Sequence, residues 1–373
     1  MVGYGNKVVS GKPQGKKAVF RALTILIFTS WFGVFYNAMT LSSFFISPVA
    51  ANGIIDPIKI EYGEWLLPDT PPSPQNNPYN KAQAEIGKML FFDPRLSGDG
   101  KISCATCHNP ALGWADGLPT GRGHNGKVLP RATPTIFNVG FNKILMWDGR
   151  AGSLEEQAMG PITNPDEMHN TIKNMLNTLR NIDGYVKAFK KAFYTGISEN
   201  IVRRAIAQYQ RAVIANDSPF DRWVKGNKKA MTQQQIRGFL VFKDPGKANC
   251  AQCHQPPNFT DYGFHNIGLA SYGKKNHDRG RNGQIAVALT DGAFKTPTLR
   301  NITQTAPYFH DGSAATLDEV IEHYASGGKV KTNLSPNMIA FNITKQEKAD
   351  LIAFLNALTS PWDPQLEHVQ LPN

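Results

Sequence analysis

The chain has 373 residues and a formal net charge of +11, with 41% hydrophobic and 18% charged residues. That composition excludes a collagen, a long coiled coil and a mainly disordered chain, and at ~100–200 residues per domain the length suggests two domains. Five of the surplus cations, Lys7, Lys12, Lys16, Lys17 and Arg21, lie in the first 21 residues with no acid among them; the others are too scattered to argue for nucleic acid.

Residues 22–46 carry no charge and are followed by the small residues Val49-Ala50-Ala51. This pattern predicts a secretory signal cleaved near Ala51, or an uncleaved signal anchor, over residues 1–51. Either places the rest of the chain outside the cytoplasm, in the periplasm, with membrane contact only through a retained N-terminal segment. Residues 52–78, with Pro57, Pro68, Pro71, Pro72, Pro74 and Pro78, read as an extended linker.

The periodic segments that follow are helical. Ala82, Ile86, Met89 and Leu90 make one apolar stripe; Ile201, Ala205, Tyr209, Ala212 and Val213 make a second. Ile236, Phe239 and Leu240 make a third. Leu351, Phe354, Leu355 and Leu358 make a fourth, behind a Thr344-x-x-Glu347 capping box. Their order repeats: a helix leads into a cysteine pair, a long Gly/Pro-rich region follows, and a helix closes the unit. Phe92-Asp93-Pro94 precedes the first pair and Asp244-Pro245 the second. The chain thus reads as a duplicated, mainly α-helical unit, with domains at 79–216 and 217–363 and a tail at 364–373. Loops this long inside a compact domain point to function or to a cofactor around which they pack.

The four cysteines form Cys104-Ala-Thr-Cys107-His108 and Cys250-Ala-Gln-Cys253-His254. Two thiols about a helical turn apart can add to the two vinyl groups of one porphyrin, and the next residue offers an imidazole to the iron. The pattern therefore predicts two covalently bound haem c groups, on Cys104 and Cys107 with His108, and on Cys250 and Cys253 with His254. One Cys₄ zinc site shared by the two pairs is the competing reading, but zinc does not require a His after each pair. No βαβ pattern surrounds either pair to suggest a thioredoxin-like site. Two haems alone would suit an electron carrier, with both irons saturated; a catalyst needs one open or labile iron position.

Several long stretches bear on that choice: GKMLFFDPRLSGDGKISCATCHNP, RATPTIFN, WDGRAGSLEEQAMGPITNPDEM, NCAQCHQPPNFTDYGFHNIG, FKTPTLRNITQTAPYFHDGSAATLDEV and EKADLIAFLNAL. Through them the sequence, over roughly residues 79–360, resembles the bacterial di-haem cytochrome c peroxidase and MauG family. The resemblance implies two cytochrome-c-like domains, a peroxidatic N-terminal haem and an electron-transferring C-terminal haem. It places Trp147 between the haems as an electron bridge, and Gln157 and Glu167 over the open face of the peroxidatic iron, with Pro161 shaping that pocket. A carboxylate there can take a proton from one peroxide oxygen and deliver it to the other.

Tyr324 stands where peroxidases of the family carry a Met as distal ligand of the C-terminal haem, and matches the tyrosine of the MauG-type branch. Neighbouring His323 points about 100° away on a helix, so only one of the two can reach the iron. His124, sixteen residues after His108, matches a labile distal ligand of the peroxidases, or is a solvated loop histidine. The resemblance further implies a calcium ion between the domains, on the carbonyls of Thr305 and Pro307, but Ala132 replaces the Asn that would supply a side-chain oxygen. His310 matches a hydrogen-bonding residue near the C-terminal haem.

The function so implied is an exported di-haem c-type peroxidase. It would reduce hydrogen peroxide to water with electrons from a small cytochrome c or cupredoxin. The alternatives are a MauG-like oxidase, acting through a bis-oxidised haem state on a protein or small molecule, and a plain di-haem electron carrier.

Overall fold

The computed structural model describes residues 62–373. The uncharged segment at 22–46, read above as a signal or anchor, lies outside the described residues. Among those described, no helix is long and apolar enough to cross a membrane.

The fold is mainly helical. The first half contains α1 (Lys81–Phe92), α2 (Cys104–Cys107), α3 (Leu154–Gln157), α4 (Gly160–Thr163), α5 (Ile172–Arg180), α6 (Asp183–Phe193) and α7 (Glu199–Ala212). The second contains α8 (Pro219–Val224), α9 (Gln233–Lys243), α10 (Asn282–Ile285), α11 (Leu317–Ala325) and α12 (Lys345–Ala357). A two-residue antiparallel pair, β1 (Phe264–His265) with β2 (Phe294–Lys295), sets Phe264 opposite Lys295.

The four helices anticipated from apolar periodicity are α1, α7, α9 and α12, and local chemistry bounds them. The Asn80 side chain caps α1 by accepting from the Gln83 N–H. Pro94 pushes Asp93 out of helical geometry and ends α1. Asp244, before Pro245, ends α9 in the same way. Thr344 and Glu347 form the reciprocal capping box of α12, at 2.9 and 3.1 Å.

Two apolar cores result. In the first, α1 packs on α7, and Phe91, Trp114, Phe137 and Tyr209 meet at its centre. In the second, α9 packs on α12, with Phe354 within 5.1–5.5 Å of Phe220, Phe239 and Phe242, centroid to centroid. Both crossings pass over a glycine. A Cβ on Gly87 would strike the Ala205 carbonyl, and one on Gly238 the Asp350 carbonyl. Gly87→Ala and Gly238→Ala should therefore each destabilise by roughly 1–3 kcal/mol, the usual cost of overpacking, despite the better helix propensity of alanine. Thermal unfolding of the two variants tests this; unchanged melting would show that the helices can separate freely.

Each half is also held by a segment from the far end of the chain. Of the stretch 52–78 read above as an extended linker, residues 52–61 lie outside the described residues; 62–78 are largely without helix, but Trp65 is 4% exposed and fills the second core. Its carbonyl accepts from the Arg300 guanidinium at 3.0 Å, and Arg300 pairs with Asp221 at 2.8 Å; both charged side chains are fully buried. At the other end, Trp362 packs edge-on against Trp114 and Phe137 in the first half. Beyond it, Glu367 accepts from the Tyr209 hydroxyl at 2.7 Å, and the Pro372 carbonyl accepts from Arg95 at 3.0 Å.

Candidate haem sites and the seam between them

The two cysteine loops are built alike. Before the first, Ser97 Oγ donates to the Pro94 carbonyl and accepts from the N–H groups of Lys101 and Ile102, folding the approach back on itself. Ser103 then opens the helical turn α2, its N–H donating to Thr106 Oγ1 at 3.0 Å. Before the second, Asn249 adopts a left-handed conformation (φ +47°) that starts a 3₁₀ turn over Cys250–Gln252. In both, the histidine N–H closes the turn on the first cysteine: His108 on the Cys104 carbonyl at 2.8 Å, His254 on the Cys250 carbonyl at 2.9 Å.

The imidazoles are oriented alike too. His108 Nδ1 lies 3.2 Å from the Trp114 carbonyl, and His254 Nδ1 lies 2.9 Å from the Phe259 carbonyl. A carbonyl fixes Nδ1 as the protonated nitrogen and leaves the Nε2 lone pair for a metal. Burial holds both histidines below the ordinary imidazole range, favouring that neutral form.

Burial also pushes the Cys104 and Cys250 thiols up to about 12 and Cys107 up to about 11, which is opposite to the activation a thiol redox catalyst needs. All four cysteines are partly buried and retain accessible surface, as groups facing an internal space do. Cys104 packs on the first core and Cys250 on the second, and no Cys₄ cluster forms among the described residues, which removes the shared zinc site. The one trio of potential metal donors there is Cys253, Asp261 and His265, and His265 is already hydrogen-bonded to Asp261 at 2.8 Å and to Ser335 Oγ at 3.0 Å.

In the second half, Cys250, Cys253 and His254 line a cavity of about 620 Å³. That lies within the range of cofactor sites. Tyr324, on α11, lines the same cavity, and among the described residues its hydroxyl makes no hydrogen bond. His323 is turned away: its Nε2 meets the Ile267 carbonyl at 2.8 Å. These features fit a haem: paired thiols, a fixed proximal imidazole, a large apolar cavity and an unengaged phenol.

The first half lends residues to this cavity. Trp147 lines it, and its Nε1–H donates to the Ala132 carbonyl at 2.9 Å. The Trp147 carbonyl in turn accepts from the Lys295 N–H at 2.8 Å. Beside it, Arg131 pairs with Asp148 of the first half at 2.8 Å and with Asp278 of the second at 2.7 Å, so one guanidinium ties the seam. His310 stacks on Phe294 with ring centroids 3.4 Å apart and meets Trp147 edge-on at 6.4 Å. Its ring makes no hydrogen bond among the described residues and is held by contact with these two aromatic rings. Thr305 and Pro307 line the cavity wall nearby, while the Ala132 carbonyl is engaged by Trp147.

On the first half's own side, α3 ends at Gln157, whose side chain is half-buried and makes no hydrogen bond among the described residues. Pro161 opens the turn α4, and its carbonyl accepts from the Met168 N–H at 3.1 Å, which curls the following loop. Glu167 on that loop is held by the Asn164 side-chain amide, which donates to Oε1 at 2.7 Å. Its carboxylate is close enough to raise the pKa of both Cys104 and Cys107, and desolvation raises its own. His124 packs against the same loop: its N–H donates to the Asp166 carbonyl at 3.1 Å and its ring stacks on His169 at 4.4 Å. Nδ1 lies 3.6 Å from Asp99. The histidine read as a labile ligand or a solvated loop residue packs between two loops with its side chain 18% exposed.

Lys295, Arg131 and the Arg300–Asp221 pair were not singled out from the sequence. Only the charge of Lys295 within the otherwise apolar and hydroxylic stretch Phe294-Lys295-Thr296-Pro297-Thr298-Leu299 offered a signal.

Duplicated Cys-x-x-Cys-His turns on two helical cores define the class as di-haem c-type. A family model described as di-haem cytochrome c peroxidase matches residues 81–229. The chain is 44% identical over 298 residues to the methylamine utilization protein MauG of Methylorubrum extorquens, covering 78% of this chain and 82% of that protein. It is 37% identical over 326 residues to the cytochrome c551 peroxidase of Nitrosomonas europaea, covering 86% and 89%. A solved MauG-like protein associated with microbial copper homeostasis superposes with a TM-score of 0.74 at 32% identity, covering 79% of this chain and 94% of that one. The chain belongs to the di-haem cytochrome c peroxidase and MauG family, a family of haem oxidoreductases.

Proposed function

We propose that this chain is an exported, periplasmic di-haem peroxidase that reduces hydrogen peroxide to water, drawing electrons from a small cytochrome c or cupredoxin. The observation that carries the proposal is the shared seam: Trp147 of the first half lines the haem-sized cavity of the second. That arrangement suits a two-centre catalyst with two cytochrome-c-like domains. When bound, the haems supply redox-active iron, attached through Cys104 and Cys107 and through Cys250 and Cys253, with His108 and His254 as proximal ligands. Glu167 takes the peroxide proton at its carboxylate and returns it to the leaving oxygen; Gln157 orients the peroxide through its amide. The indole of Trp147 shortens the electron path between the halves.

Tyr324 favours a second reading, a MauG-like oxidase acting on a protein or small molecule. Tyr324 lines the second cavity, its hydroxyl makes no hydrogen bond among the described residues, and a phenolate ligand stabilises oxidised iron more than the sulfur of Met would. If calcium binds at the Thr305 and Pro307 carbonyls, water must replace the side-chain oxygen that Ala132 lacks.

Steady-state peroxide reduction with a reduced cytochrome c, before and after pre-reduction of the enzyme, is the test. With Tyr324 as ligand, the all-ferric enzyme should react with peroxide without activation, and Tyr324→Met should keep two haems while making reactivity depend on pre-reduction. A resting enzyme with two low-spin haems, inert until half-reduced, would instead show that His124 blocks the first iron. Inertness in both states would leave an electron carrier.

A further inference from the structure

Lys295 is a buried cation that forms no ion pair among the described residues. It is 9% exposed, lies on β2 and lines the cavity of the second half. Its ammonium makes one hydrogen bond among the described residues, at 3.2 Å to the carbonyl of the adjacent Thr296. That carbonyl already accepts from Thr260 Oγ1 at 2.7 Å. The carboxylate that acts on Lys295 is Asp261, which is held by His265 at 2.8 Å and by the Gly263 N–H at 2.7 Å. Burial pushes the Lys295 ammonium down to about 8, so the protein alone compensates its charge poorly.

A lone charge in a low-dielectric cavity is costly unless an opposite charge joins it. A haem brings two propionate carboxylates. We propose that Lys295 is the counter-ion of a propionate of the haem in this cavity, and that this pairing raises the reduction potential of the C-terminal haem beside Trp147. The proposal rests on the haem reading of the cavity. A fixed positive charge near the iron disfavours the ferric form, which carries one more positive charge than the ferrous form. The position matters because a main-chain hydrogen bond, from the Lys295 N–H to the Trp147 carbonyl, joins the residue that carries the charge to the residue whose indole bridges the halves.

The test uses the holoprotein, with intact mass for the haem count and spectroelectrochemical titration resolving both haems. Lys295→Met should keep two haems and shift the reduction equilibrium of the C-terminal haem toward ferric by tenfold or more, about 59 mV for one electron, leaving the N-terminal haem unmoved. Lys295→Arg keeps the charge and should stay within about threefold of wild type. An unmoved potential in Lys295→Met overturns the proposal. So does an equal shift in both variants, since that would make the effect one of packing. A crystal structure of the wild-type holoprotein answers without a variant: the ammonium within about 3.2 Å of a propionate oxygen supports the pairing. Propionates bound wholly by other groups overturn it. A wild-type mass showing fewer than two haems would fault the haem reading itself, separately from the role of Lys295.

Discussion

Glu167→Gln should leave both haems attached and slow peroxide reduction by ~10²–10⁴, the range for a lost general acid–base group. The amide is close in shape to the carboxylate, and its oxygen can still accept from the Asn164 amide that holds the wild-type side chain at 2.7 Å. The loop closed by the Pro161 carbonyl and the Met168 N–H should therefore persist. What is lost is a group that can hold a proton and give it back. Desolvation raises the proton affinity of the Glu167 carboxylate, which suits a group that must take a proton from one oxygen and pass it to the other. Stopped-flow mixing with peroxide, monitored at the haem bands, reads the step directly. An unchanged rate with intact haems would remove Glu167 from the chemistry and leave it a loop residue.

The second large effect concerns stability. Arg300→Met should destabilise the holoprotein by about 3–5 kcal/mol, because it leaves Asp221 as a buried carboxylate without its partner. Arg300 is fully buried, forks onto both Asp221 oxygens at 2.8 and 3.0 Å, and donates to the carbonyls of Trp65 and Pro257. Asp221 also accepts from the Ser218 N–H and hydroxyl, which start α8. One methionine would thus unpair an anion and release the segment that seats Trp65. Neutralising the anion as well, in Arg300→Met with Asp221→Asn, should recover part of the loss. Denaturant unfolding of both variants gives the numbers; a loss below about 1 kcal/mol for the single change would mean that water or a neighbour takes over the arginine's role.

Family membership and the main helices were legible because each depends on residues close together in the chain. Cys-x-x-Cys-His is five residues long, and a helical stripe such as Ile201–Val213 declares itself within four turns. Lys295 was illegible for the opposite reason. Its importance comes from a cavity whose walls include Trp147 and Tyr324, far from it in sequence, and a solitary lysine has no periodicity to betray it. Trp65 was hidden likewise: a tryptophan amid prolines reads as linker until Arg300, 235 positions later, is seen to bind its carbonyl. His310 shows a subtler gap. The resemblance singled it out as a hydrogen-bonding residue, but nothing in the sequence says that the Phe294 ring would stack on it.

The crossed ends bear on how this protein could be divided. A cut near residue 216 would follow the internal repeat, yet the C-terminal piece would lack Trp65, and the N-terminal piece would lack Trp362, Glu367 and the Pro372 carbonyl bound by Arg95. Each fragment would expose an aromatic socket shaped for a plug that the other carries. Expressed together, such fragments should find one another through those two sockets, and each expressed alone should be prone to aggregate. A growing chain would meet the same constraint in time: the first half cannot be completed until residues 362–372 have been made.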